Sequence, residues 1–200
     1  MDIAAVIGLG NPGDTYAATR HNVGFLVIDE LARRWRITTW RRAFSSQAAR
    51  RGGAHPTWLL KPQTHMNCSG DALAALLARE DLLAGQCLVV VDDVELPIGQ
   101  LRLRTRGGPG THNGLRSIAE QIGDGYPRLR LGIRGEHPWD DLAEYVLTPF
   151  ASSEETALRA MVTRAVDCVE MALRVGLART ATEFNRAATS QEADDAQRRD

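Results

Sequence analysis

Four polar clusters in this 200-residue chain carry side chains able to do chemistry. The first is Asn11 with Tyr16, Thr19, Arg20, His21 and Asn22, and the second is KPQTHMNCSG, with Met66 and Asn67 just ahead of a helical pattern. The third is Asp92, Asp93 and Glu95, directly beyond the apolar run Cys87 to Val91. The fourth is GGPGTHNG, with His112 and Asn113 at a helix entry. Together they offer a neutral imidazole, a carboxylate able to orient it and several side-chain amides, which are the parts of a general base and an oxyanion site. Taken singly each has an ordinary reading. Asn-Pro-Gly is a turn, Ser69 and Asn113 are helix-capping types, Asp92 suits a solvated loop, and Met66 suits a core. No GxSxG is present and no serine has a nucleophile signature, so water is the favoured attacking group.

The GLGNPG run, with Gly8, Gly10 and Gly13, matches the GxGxxG dinucleotide fingerprint. That fingerprint needs a helix opening at the third glycine to meet a pyrophosphate. Here Pro12 precedes Gly13 and no helical apolar period starts before Val23. The acidic residues about 20 positions on, Asp29 and Glu30, fall inside a helix. A tight turn is the better reading, and no nucleotide cofactor is expected.

The elements that must hold these clusters follow from apolar periodicity. Ile3 to Leu9, Thr57 to Leu60 and Cys87 to Val91 read as strands, while Gln100 to Arg104 and Arg128 to Ile133 alternate as half-exposed strands do. Val23 to Trp35, Ala72 to Leu83, Asn113 to Ile122 and Glu154 to Val175 read as helices, with a short one at Thr182 to Arg186. The expectation is a single-domain α/β fold, a mixed, twisted β-sheet flanked by helices. If the first strand and 87–91 are parallel neighbours, the His21 loop and Asp92 share the rim beyond their carboxyl ends. Residues 1–187 form the expected domain; residues 188–200, ATSQEADDAQRRD, have nothing to bury and read as a disordered tail.

Composition excludes other classes. The chain is 44% hydrophobic and 24% charged, which is globular rather than fibrous or disordered. No apolar run approaches the roughly 20 residues of a membrane helix, and MDIAAVIGLG has neither the basic nor the long apolar region of a signal peptide. Cys68, Cys87 and Cys168 are odd in number and scattered, the pattern of buried, reduced thiols in a cytosolic protein. The net charge of −1 divides unevenly: residues 1–135 hold 17 Lys+Arg against 12 Asp+Glu, and residues 136–200 hold 7 against 13. A basic body is compatible with an anionic partner, although charge alone says no more than a solvated surface.

IGLGNPGDTYAATRHNVGF resembles the N-terminal signature of bacterial peptidyl-tRNA hydrolases, and LLKPQTHMNCSG, VVVDDVELPIGQLRLR and GGPGTHNGLRSI resemble later blocks of that family in the same order. The likeness runs from about Ile3 to Asn185. It implies a peptidyl-tRNA hydrolase-like fold and cleavage of the ester joining a peptide to the 3′-terminal ribose of tRNA, in a cytoplasmic monomer with no metal or organic cofactor and no membrane partner. Carried over by motif, His21 is the general base and Asp92 holds its imidazole. Asn11, Asn67 and Asn113 bind substrate and stabilise the oxyanion, Tyr16 and Met66 line the cleft, and His112 lies in the substrate-binding set. Arg102 and Arg104 match contacts to phosphates of the tRNA acceptor end, and Arg106 extends the row by one alternation. The chain departs from the family pattern at His65, Val91, Pro109 and Thr111. Family members that bind RNA without hydrolysis make a degenerate paralogue the rival expectation.

Overall fold

The computed structural model describes residues 2–53, 55–136 and 139–185; the expected tail at 188–200 lies outside them. Its frame is a sheet of seven strands: β1 (Ala5–Gly8), β2 (Arg41–Ala43), β3 (Ser46–Arg51), β4 (Thr57–Pro62), β5 (Cys87–Pro97), β6 (Leu101–Arg104) and β7 (Arg128–Arg134). Their spatial order is β2-β3-β4-β1-β5-β7-β6. The central pairs β4–β1, β1–β5 and β5–β7 are parallel, and the flanking pairs β2–β3, β3–β4 and β6–β7 are antiparallel, so the sheet is mixed as expected.

The helices are α1 (Val23–Arg34), α2 (Ser69–Glu80), α3 (Asn113–Ile122), α4 (Leu142–Val146) and α5 (Glu155–Val175), with α6 over 177–185. Side chains alternate across the sheet. Val6, Leu88 and Val90 join α1 and α5 in one core, whereas Ala5, Ile7, Val89 and Val91 join α2 and α3 in the other. Both faces of the central strands are therefore covered, which is why those strands read as unbroken apolar runs. Val91, one of the departures from the family pattern, is wholly buried in the α2–α3 core and does not line the site described below.

Several boundaries differ from expectation for identifiable reasons. Strand β5 does not stop at Val91; Asp92 and Asp93 pair with Leu131 and Gly132 of β7 and are buried, so they are strand residues rather than loop carboxylates. Helix α2 starts at Ser69 and stops at Glu80, where Asp81 turns left-handed (φ 52°), leaving Leu83 exposed. The β2–β3 hairpin and the short α4 were not expected. Cys68 is exposed, which corrects its reading as a buried thiol; Cys87 and Cys168 are buried.

The chain leaves β1 through a loop with two 3-10 turns, Asp14–Tyr16 and Arg20–Asn22, before α1 begins at Val23. The glycines that mimic a nucleotide fingerprint serve this path. A Cβ on Gly8 would collide with the Gly24 carbonyl, so their absence lets α1 press on β1, and Gly13 has φ 103°. The second turn carries His21 to the rim of the sheet.

Candidate active site

His21 and Asp92 meet beyond the carboxyl end of β1, where its parallel neighbour β5 runs on past Val90 and carries Asp92 in mid-strand. Both are buried. His21 Nδ1 lies 2.9 and 3.0 Å from the two Asp92 oxygens. A carboxylate only accepts, so Nδ1 carries the hydrogen, and the lone pair belongs to Nε2, which has no partner among the described residues. His112 reaches the same carboxylate from the other side, with Nε2 3.0 Å from Asp92 Oδ1. Its Nδ1 accepts from the backbone N–H groups of Gly114 and Leu115 at 3.1 and 3.3 Å, capping α3. The cap of α3 is thus His112, not Asn113. Two imidazoles share one carboxylate in opposite tautomers: one has a free basic nitrogen and the other has none.

Burial works against the imidazolium of His21, but the charge and hydrogen bond of Asp92 outweigh it, and its pKa is raised. Burial likewise works against the Asp92 carboxylate, and the two imidazoles overcome it, holding Asp92 well below the usual carboxylate range. Asp92 is therefore ionised whenever His21 is neutral.

These groups form one wall of a cavity of about 340 Å³, which Asn113, Pro109 and Thr111 also line. Pro109 and Thr111, two of the departures from the family pattern, thus shape the site directly. Another part of its wall is made by Leu142, Ala143 and Val146 of α4. Arg20 ties that wall to the histidine loop. Its guanidinium donates to Glu154 at 2.6 Å and to the Ile133 carbonyl at 3.1 Å, and lies 4.7 and 4.8 Å from the ring centres of Tyr145 and Phe150. Its backbone N–H donates to the Thr148 carbonyl.

Asn11 and Asn22 clamp each other. Asn11 N–H donates to Asn22 Oδ1 at 2.8 Å, and Asn22 Nδ2 donates to the Asn11 carbonyl at 2.9 Å. Asn11 Oδ1 accepts from Met66 N–H at 2.8 Å, which turns Asn11 Nδ2 away as a donor without a partner among the described residues. Asn67 is exposed and Met66 buried, and neither they nor Asn11 and Tyr16 line the 340 Å³ cavity. His65 is a surface residue. Arg102 and Arg104 are in β6 and point to one face, but the strand ends there. Arg106 lies beyond it in a bend, so strand alternation does not extend the row to a third arginine. In the sequence Asn22 and Arg20 stand out only as members of a polar cluster. Arg130, whose Nε lies 2.9 Å from Asp93 at the cavity wall, carried no signal beyond being charged in an alternating strand.

Among the described residues, His21, Asp92 and His112 are the one group that could grip a metal ion, with ligand atoms within 4.8 Å of one another. Their 2.9–3.0 Å separations are those of N–H···O bonds. An ion bound at about 2.0–2.1 Å would have to replace both bonds.

An α/β sheet that brings an imidazole and a carboxylate together beyond the carboxyl end of β1 holds the parts of a general base, and comparisons with known proteins show the family. The peptidyl-tRNA hydrolase family profile matches residues 5–193. The peptidyl-tRNA hydrolase of Aquifex aeolicus is 44% identical over 177 residues, covering 88% of this chain and 92% of that protein. That of Roseiflexus sp. is 46% identical over 183 residues, covering 90% and 84%. The crystal structure of peptidyl-tRNA hydrolase from Acinetobacter baumannii superposes with a TM-score of 0.85 at 31% identity, over 92% of this chain and 94% of that one. The chain belongs to the peptidyl-tRNA hydrolase family. No helix among the described residues is long and apolar enough to cross a membrane.

Proposed function

We propose that this protein hydrolyses the ester bond of peptidyl-tRNA, releasing free tRNA and peptide, with His21 as the general base that activates water. The observation that supports this most strongly is the His21–Asp92 pair at 2.9 and 3.0 Å on a cavity wall, with His21 Nε2 unspent. Water held at Nε2 gives up a proton as its oxygen adds to the ester carbonyl. The imidazolium so formed is stabilised by Asp92 and returns the proton to the departing ribose oxygen as the tetrahedral intermediate collapses. The side chain of Asn113, on the cavity wall, is the first amide donor to the developing oxyanion, and Asn11, outside that wall, offers its free Nδ2 to the substrate as it extends from the cavity. Asn67, with Tyr16 and Met66, contacts the peptide, and amides suit a peptide of variable sequence because they read its backbone.

His112, grouped with the substrate-binding residues by resemblance, offers the cavity only its ring, since both nitrogens are spent. Its role in this reading is to steady Asp92. Arg102 and Arg104 hold tRNA phosphates, and Arg130 lies opposite Arg102 in register. The working unit is one domain spanning residues 1–187, acting in the cytoplasm as a monomer and without a cofactor. The test is deacylation of an N-blocked peptidyl-tRNA by purified protein with EDTA present. Turnover by the wild type and its loss in His21→Ala, with tRNA affinity retained, is the expected result. Binding without turnover by the wild type would favour a non-hydrolytic RNA-binding protein instead.

A further inference from the structure

From Leu31 to Gly70 the chain holds eight Lys+Arg and no Asp or Glu. Three of these cations find acids elsewhere: Arg33 on Glu30, Arg34 on Asp167 and Glu170, and Lys61 on Asp29. The other five, Arg36, Arg41, Arg42, Arg50 and Arg51, are exposed and have no acidic partner among the described residues. Four of them are in the β2–β3 hairpin, at the sheet edge opposite β6.

The arrangement is ordered. Arg41 pairs with Ala48, and Arg50 lies two residues further along β3, so the two are diagonal neighbours on one face. Their guanidinium carbons lie 4.8 and 5.2 Å from the Trp58 ring centre, and that of Arg51 lies 4.6 Å from the Trp35 ring centre. A guanidinium held over an indole has less side-chain freedom left to lose when it binds a second group. Arg42 alternates to the face opposite Arg41, so both faces of the edge are basic. The two edges also differ in cover. The Asn185 side chain bonds both the N–H and the carbonyl of Leu103 in β6, and β2 has no such cover among the described residues.

We infer that the β2–β3 edge is a second RNA-binding surface, which holds a phosphate backbone through Arg41, Arg42, Arg50 and Arg51. It is separate from the site at β6, because six strand intervals of about 4.8 Å put roughly 29 Å between the two edges. The planar guanidinium fork matches phosphate oxygens. An anionic membrane is the less suitable partner, since the exposed large hydrophobic residues, Leu83, Leu147 and Val175, are elsewhere and give this edge nothing to insert. The phosphates come either from the body of the bound tRNA or from a separate structured RNA.

The experiment measures binding of deacylated tRNA, of an acceptor-stem minihelix and of an RNA duplex without a CCA end, across 50–200 mM salt. It compares the wild type with R41Q/R42Q/R50Q/R51Q and with R36Q/R42Q; Arg36 and Arg42 lie over no aromatic ring among the described residues, so the second variant keeps the arginine–ring contacts. The fourfold variant is expected to bind about tenfold or more weakly at low salt, with a salt slope shallower by about three, and the double variant to show a smaller change in the same direction. Loss confined to whole tRNA identifies the tRNA body as the source; loss on the CCA-less duplex identifies a separate RNA. Either outcome leaves His21-dependent turnover of a minihelix ester intact, so the inference fails or stands apart from the hydrolytic reading. Affinity within twofold of wild type for all three RNAs would overturn it. So would loss of binding to phosphatidylserine vesicles with RNA affinity unchanged, or self-association alone, which would mark the arginines as guards of an exposed strand edge.

Discussion

The loops that bring His21 and His112 to Asp92 make a controlled comparison within one molecule. Both imidazoles hydrogen-bond the same carboxylate at nearly the same distance. The His21 loop ends in a 3-10 turn whose backbone bonds are met by Thr19, Thr148 and the start of α1, so it asks nothing of the ring. The 105–112 loop delivers its histidine to a helix start, where two backbone N–H groups need an acceptor and take Nδ1. Basicity is therefore decided by the second nitrogen, not by the partner the two rings share. Beside one carboxylate, one histidine keeps a free ring nitrogen and the other keeps none, according to what the backbone leaves over.

That difference can be broken in graded steps. His21→Ala removes the free lone pair, and kcat should fall by about 10³ or more, with KM changed little, in steady-state deacylation. Asp92→Asn keeps the shape but presents an amide that can turn the His21 tautomer, and kcat should fall by about 10² to 10⁴. The sign of its pH effect is fixed by the structure. Because Asp92 raises the His21 pKa, losing its charge lowers that pKa, and the acidic limb of the remaining kcat/KM should move to lower pH. A limb that stays in place would separate Asp92 from the base.

His112→Asn retains a good helix cap while deleting the bond to Asp92. A loss of about tenfold in kcat with thermal stability close to wild type is expected, and an upward shift of the acidic limb should follow as Asp92 turns wholly to His21. A loss as large as that of His21→Ala would make the two histidines equal and the comparison void. The smallest effect belongs to Arg102→Gln with Arg104→Gln: kcat unchanged, KM raised several-fold, and a salt slope reduced by about two, one unit for each lost phosphate contact.

The meeting of His21 and Asp92 could be read in the sequence because it depends on two unbroken apolar runs, Val6 to Leu9 and Cys87 to Val91, which announce buried parallel strands. Ligand chemistry gathers beyond the carboxyl ends of such strands. What escaped lies where polarity and burial part company. Asp92 and Asp93 look like loop residues in the sequence and are buried in the β5–β7 ladder, the aspartates held by His21, His112 and Arg130. The β2–β3 hairpin buries small side chains, Ser46, Ala48 and Ala49, between arginines, so it shows no apolar alternation. The division of labour between the histidines could not be read at all, because hydrogen bonds from the first turn of α3 determine it. Arg106 fails for a simpler reason: spacing by two predicts a shared face only while the strand lasts.

The assignment of roles is tested most directly by a nitrogen-15 spectrum of the histidine rings, followed through a pH titration and set beside the acidic limb of kcat/KM. The His21 ring should titrate above the ordinary imidazole value, in step with the kinetic limb, and on the basic side of that titration it should keep its proton at Nδ1, with the His112 proton at Nε2 facing Asp92. A neutral His21 protonated at Nε2, or a kinetic limb that follows another group, would contradict the account.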